Sequence, residues 1–158
     1  MPMVDLTVPA GALDEEHRTT LVEQLTNLIV KWEEGTEVPG YGYAAWTYVH
    51  EAQAVAIAGR VRPSDKAPLY RVVISVPKGS LNEERKAGLV ADVTEAIMDV
   101  EPRERWKSDP HRVWCIVNDV PDGDWGAGGR ILRLRDLVDM FGETLPPARH
   151  AEFEFGKK

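Results

Sequence analysis

A chain of 158 residues, 43% hydrophobic and 28% charged, fits one domain or two small repeats, and at this size about 70% of the unfolded surface can be buried. Its net charge of −7 argues against nucleic acid or an anionic membrane as the main partner, because phosphate binding needs a basic surface. No stretch approaches the roughly 20 apolar residues of a membrane span and the N-terminus lacks a signal-peptide layout, so the sequence reads as cytoplasmic.

The chain opens on Met1-Pro2 and an apolar stretch in which Val4, Leu6 and Val8 alternate with Met3, Asp5 and Thr7. That period of two predicts a strand with one buried face. After a Pro/Gly turn, Asp14 is placed to cap a helix, and Glu15-Glu16 suit the positive end of its dipole. Leu21, Val22, Leu25, Leu28, Ile29 and Trp32 then form a core-facing helical stripe. A loop over residues 35–43 leads to a second strand over residues 45–50.

The same order returns further on, always at a spacing of 68 positions (for Trp46 and Trp114, 114 − 46 = 68). Val8-Pro9 recurs as Val76-Pro77, Glu15-Glu16 as Glu83-Glu84, Leu21-Val22 as Leu89-Val90, Thr26 as Thr94 and Ile29 as Ile97. The chain is therefore a tandem duplication. Its second copy predicts a strand through Val72, Ile74 and Val76, and a helix capped by Asn82 with Leu89, Val90, Val93, Ala96 and Ile97 on its inner face. A last strand follows over residues 113–118.

The expected fold is α+β (α/β): one domain over residues 1–158, built of β-α-β repeats at residues 1–60 and 69–135. They share a four-stranded sheet with two helices on one face. The other face is left without cover, which predicts association with further copies of the subunit. Leu137, Val138, Met140 and Phe141 suggest a short helix in the C-terminal tail, residues 136–158.

Other motifs reduce to structure. Cys115, the only cysteine, excludes an internal disulfide and reads as a small buried hydrophobe. Asp119, Asp122 and Asp124 lack calcium-loop spacing and read as turn residues. Gly126, Gly128 and Gly129 do not complete a dinucleotide fingerprint. His17, His50, His111 and His150 have no metal-ligand spacing.

A duplicated β-α-β unit with Pro directly after the initiator Met resembles the tautomerase superfamily. The run from Val113 through Trp114, Asn118, Trp125 and Gly126 to Arg130 resembles that family's second strand and Gly-rich hairpin. In layout the chain resembles its fused members, the malonate semialdehyde decarboxylases and cis-3-chloroacrylic acid dehalogenases, and is 4-oxalocrotonate tautomerase-like in each repeat. The resemblance implies a homotrimer, no cofactor and no metal. It also implies a small-molecule carboxylate or carbonyl substrate, and Pro2 as the catalytic residue once Met1 is removed.

With Met1 gone, Pro2 carries a free secondary amine. An α-amino group titrates at about 7.7 to 8.0 unperturbed, and an apolar pocket lowers that, leaving a base near neutral pH. Lys78 falls on one position where fused relatives hold the substrate carboxylate with arginine. Arg130 and an apolar wall of Trp114 and Trp125 complete the expected substrate-binding set, with Arg60 ending the matching hairpin of the first repeat. The short tautomerases' arginines are replaced, by Ala10-Gly11-Ala12-Leu13 and by Trp114. The decarboxylase's acid falls on Gly42, and the dehalogenase's water-activating Tyr and Glu fall on Ile116 and Ala127.

The expected activity is therefore cofactor-independent tautomerisation of small 2-oxo or enol acids, an isomerase reaction with Pro2 as general base. Two other readings stand beside it: a non-catalytic trimeric binding protein of the same fold, and a divergent decarboxylase or hydratase in which a protonated Pro2 acts as acid.

Overall fold

The computed structural model describes residues 2–34, 44–133 and 135–136. The predicted tail helix through Leu137 to Phe141 lies outside them, as do residues 35–43.

Strand β1 (Met3–Pro9) buries Val4, Leu6 and Val8, and helix α1 (Glu15–Glu34) follows. The Asp14 carboxylate accepts the His17 backbone N–H at 2.9 Å, so the predicted cap is real. That hydrogen bond is also the main reason the Asp14 carboxyl sits below its ordinary pKa. Strand β2 (Trp46–Ala52) runs parallel to β1, in the register Met3 to Trp46. A two-residue-per-arm hairpin, β3 (Ala56–Ile57) and β4 (Arg60–Val61), closes the first repeat.

The second repeat retraces this path. Strand β5 (Tyr70–Pro77) leads through the cap Asn82, which accepts from the Arg85 N–H at 2.9 Å, into helix α2 (Glu83–Val100). Two short 3-10 turns, Glu104–Trp106 and Pro110–Arg112, precede strand β6 (Val113–Val120) and the hairpin β7 (Gly126–Ala127) and β8 (Arg130–Ile131).

The sheet order is β2-β1-β5-β6, with parallel outer pairs and an antiparallel central pair. Its registers carry the duplication: Met3 opposes Trp46 as Arg71 opposes Trp114, each 68 positions on. In the central pair Asp5 opposes Val73, its own duplicate, so the pseudo-twofold axis passes between them.

Val4, Leu6, Val8, Val72, Ile74 and Val76 project from the two central strands into one layer with Leu21, Leu25, Ile29, Leu89, Val93 and Ile97 of the helices. Each is at most 2% exposed. Burial at that level stabilises by about 1.5 to 3 kcal/mol per large aliphatic side chain. Cys115 packs against this layer, and burial pushes its thiol up to about 11. Across the helices, the Trp32 indole N–H donates to Asp92 at 2.9 Å and Lys31 reaches the same carboxylate at 2.8 Å. The lysine bond leads the causes that lower the Asp92 pKa. The Trp32 ring lies directly over Gly88 of α2.

The opposite face of the sheet is uncovered in the single chain. Trp46 and Trp114, 63% and 70% exposed, stand on its two outer strands with Tyr48 and Ile116 beside them. These tryptophans therefore belong to the open face and not to the core. Among the described residues no helix is long and apolar enough to cross a membrane.

Candidate active site

Pro2 is buried and stands immediately before β1, its carbonyl accepting the Trp46 N–H at 3.3 Å. The even positions of β1 face the helices, so the Pro2 ring continues the row Val4, Leu6, Val8. The central register, Met3 to Ser75, extended by one residue sets Pro2 opposite Val76. Pro77 and Lys78 then run past the start of β1, which brings exposed Lys78 to the end of the sheet where Pro2 lies.

Lys78 is held there by its backbone. Its N–H donates to the Val120 carbonyl at 2.8 Å, and the turn after it closes through Ser80 N–H to Pro77 O at 3.0 Å, with Gly79 at a φ of 94°. That left-handed conformation favours glycine. Beyond Val120 the chain turns through Asp124 N–H to Pro121 O, and Leu132 N–H donates to Trp125 O at 2.8 Å, fixing the hairpin to the same end. Trp125 is half-buried in that turn and Arg130 is exposed on β8, opposite Ala127. Asp119 is paired with Lys86, and Asp122 with Arg133 at 3.2 Å, so these aspartates serve the turn.

Pro2, Lys78 and the hairpin that carries Trp125 and Arg130 thus lie toward one end of the sheet in one chain. Trp114 does not join them. It opposes Arg71, five residues along the sheet from Asp119, which opposes Val76. Five residues of strand span about 16 Å at about 3.3 Å each. Arg60, on the hairpin after β2, lies at that distant end too.

Sequence reasoning missed two buried acids. Glu33, in the last turn of α1, is 2% exposed, and its duplicate Glu101 (101 − 33 = 68) is 1% exposed. Glu101 accepts the hydroxyl of Tyr70 at 3.0 Å, and the Arg112 guanidinium lies 3.7 Å away. Arg112 also donates to the Pro68 carbonyl at 2.7 Å and to the Trp106 carbonyl. Burial first, and the Glu101 carboxylate second, raise the Tyr70 hydroxyl far above its ordinary pKa. Tyr70 is the duplicate of Pro2, so the second copy of the proline position is occupied by a locked phenol. The 68-residue spacing of the two glutamates was the available signal. At the Pro2 end the described residues include a lysine and one tryptophan, and a cation is the type of group that proton transfer on an anionic carbonyl compound requires beside its base.

Comparison with known proteins bears on the same region. Residues 71–135 match the family model described as Tautomerase enzyme. The match covers the second repeat, and Pro2 lies outside it. No curated protein matches the chain. Among solved structures, a wild-type fused 4-OT described as an asymmetric trimer is similar at 21% identity and a TM-score of 0.66, covering 85% of this chain and 98% of its own. A member of the cis-3-chloroacrylic acid dehalogenase family is similar at 20% identity and a TM-score of 0.66, covering 96% of this chain and 98% of its own. A fused 4-OT described as a symmetric trimer gives 20% and 0.65, over 85% of this chain and 98% of its own.

Proposed function

We propose that this chain, which has the tautomerase-superfamily fold and carries a tautomerase domain over residues 71–135, is a cofactor-independent isomerase of small 2-oxo or enol acids. The observation that carries this reading is the burial of Pro2 at the head of β1, with Lys78 and Trp125 at the same end of the sheet. Once Met1 is removed, the Pro2 nitrogen is a secondary amine in apolar surroundings, where its neutral form is favoured. It takes a proton from the enol hydroxyl or from the carbon beside a carbonyl, and returns it at the other site. Lys78 faces the substrate carboxylate and the developing enolate charge.

The working unit is a homotrimer. The uncovered sheet face, with Trp46, Trp114, Tyr48 and Ile116, is the surface that association would bury, and two of the similar structures are described as trimers. Trp114 meets a Pro2 site only across that contact, from a neighbouring copy.

Glu33 supports a second reading. α1 runs back along β1, so its last turn returns to the Pro2 end, and a carboxylate near an amine favours the protonated amine. Pro2 would then be an acid, as decarboxylation or hydration requires.

The ketonisation of phenylenolpyruvate tests the first reading. Wild type accelerates it, and Pro2→Ala loses about 100- to 10,000-fold, the range that a positioned general base contributes. Equal rates in the two proteins, or no rate in either, would overturn the proposal.

A further inference from the structure

The duplication gives the sheet two pseudo-equivalent ends, and the end remote from Pro2 holds a cavity of about 280 Å³. Pro9, Ala10, Gly11 and Ala12 line it. They are the duplicates of Pro77, Lys78, Gly79 and Ser80 at the Pro2 end, each 68 positions back. Ala52 and Gln53, the duplicates of Val120 and Pro121, also line it, as does Leu69 just before Tyr70. The cavity is therefore the symmetry counterpart of the candidate active site.

Its charge is unlike that of the rest of the molecule. In a chain of net charge −7, the ionisable side chains among the described residues lining this cavity are Arg62, Lys66 and Arg103, Lys66 lying 3.7 Å from exposed Asp65. Arg62 is half-buried and oriented by its Nε, which donates to the Ala67 carbonyl at 2.9 Å, and its own N–H ties it to Val55 at 2.7 Å. The Arg103 guanidinium rests 4.3 Å from the centre of the Trp106 ring. Two of the three cations are thus pre-positioned, which lowers the cost of ordering them on a ligand.

We propose that this cavity is a second, non-catalytic site for a small organic acid bearing one or two carboxylates. The size argues for this class, since sites for drug-sized ligands run from about 300 to 1,000 Å³ and this cavity lies at or below that range. The guanidinium groups suit planar carboxylates. The position of the proline is taken by Tyr70, whose hydroxyl is engaged by Glu101 in the core. The site is one for binding, at the end of the sheet opposite the Pro2 head of β1. This inference does not depend on the activity of Pro2.

The test is a titration of the isotope-labelled full chain with malonate, followed by amide NMR at constant ionic strength. Saturable shifts are expected at Gly11, Ala54 and Lys66. In the double variant Lys66→Ala/Arg103→Ala, which removes two exposed side chains and leaves the fold's spectrum in place, affinity read at these amides falls by about tenfold or more. In Pro2→Ala it is unchanged. No saturable shift in wild type, unchanged affinity in the double variant, or loss of the shifts in Pro2→Ala would each overturn the proposal.

Discussion

At the scale of single residues, what decides function is which polar groups stand in apolar surroundings. Lys78 is a point charge that makes no planar two-bond contact with a carboxylate, so in the proposed site it is a weaker anion holder than arginine. Lys78→Ala is expected to weaken kcat/KM by about 10- to 100-fold, as the loss of a charge-assisted contact of about 1.5 to 3 kcal/mol implies, and Lys78→Arg to retain or improve it. Steady-state kinetics on phenylenolpyruvate read both. Glu101 and Arg112 are the opposite case, a pair whose side chains are 0% and 3% exposed. Glu101→Ala leaves the guanidinium buried beside a vacancy and should destabilise by about 3 to 5 kcal/mol in urea denaturation.

Cys115 makes a pH prediction. Its thiol is raised from 9.0 to about 11 by burial, so the folded state holds the proton more firmly than the unfolded one. The stabilisation is complete below pH 9 and is lost as pH rises from there through the folded value of about 11. Urea midpoints measured across that window should fall more steeply in wild type than in Cys115→Val.

At the scale of elements, the two helices meet where the Trp32 ring covers Gly88, and a methyl group on Gly88 would overlap that ring. Alanine favours the helix over glycine by about 0.8 to 1.0 kcal/mol, but overpacking costs about 1 to 3 kcal/mol, so the clash wins. Gly88→Ala should therefore lower the melting temperature, and Trp32→Leu/Gly88→Ala should recover part of the loss.

The elements were legible in the sequence because alternation and helical spacing are enforced by burial: Val4, Leu6 and Val8 are in the core as the pattern requires. The caps Asp14 and Asn82 were legible for a similarly local reason. The strand order was not, since the 68-residue spacing leaves open which strands meet at the centre. Nor did that spacing reach the hairpins, where Arg60 and Arg130 are 70 apart and two extra residues shift the copy. Glu33 and Glu101 escaped because an apolar pattern counts hydrophobic positions and passes over a buried acid. Trp114 stands where the short tautomerases have a second-strand arginine, and strand register sets it at the other end of its own chain from Pro2, which a sequence pattern does not specify.

At the scale of the whole molecule, the sheet face opposite the helices is the surface that the proposed assembly would bury. Between β1 and β2 it carries the pair His50 Nε2 and Asp5 Oδ1 at 2.8 Å, and its outer strands present Trp46 and Trp114. Ile116→Asp sets a charge in that exposed face and leaves the helix-side core untouched. Sedimentation should show a trimer for wild type and a smaller species for the variant. A monomeric wild type at micromolar concentration would remove the trimer from the proposal, and with it the route by which Trp114 reaches a substrate.

The central claim is that Pro2 is a base, and the nitrogen resonance of Pro2 followed by NMR across pH reports on it most directly, in protein whose intact mass shows Met1 removed. A titration midpoint below the about 7.7 to 8.0 of an ordinary α-amino group is predicted, because burial disfavours the charged amine. A midpoint above that range would contradict the account and mark Pro2 as an acid held protonated.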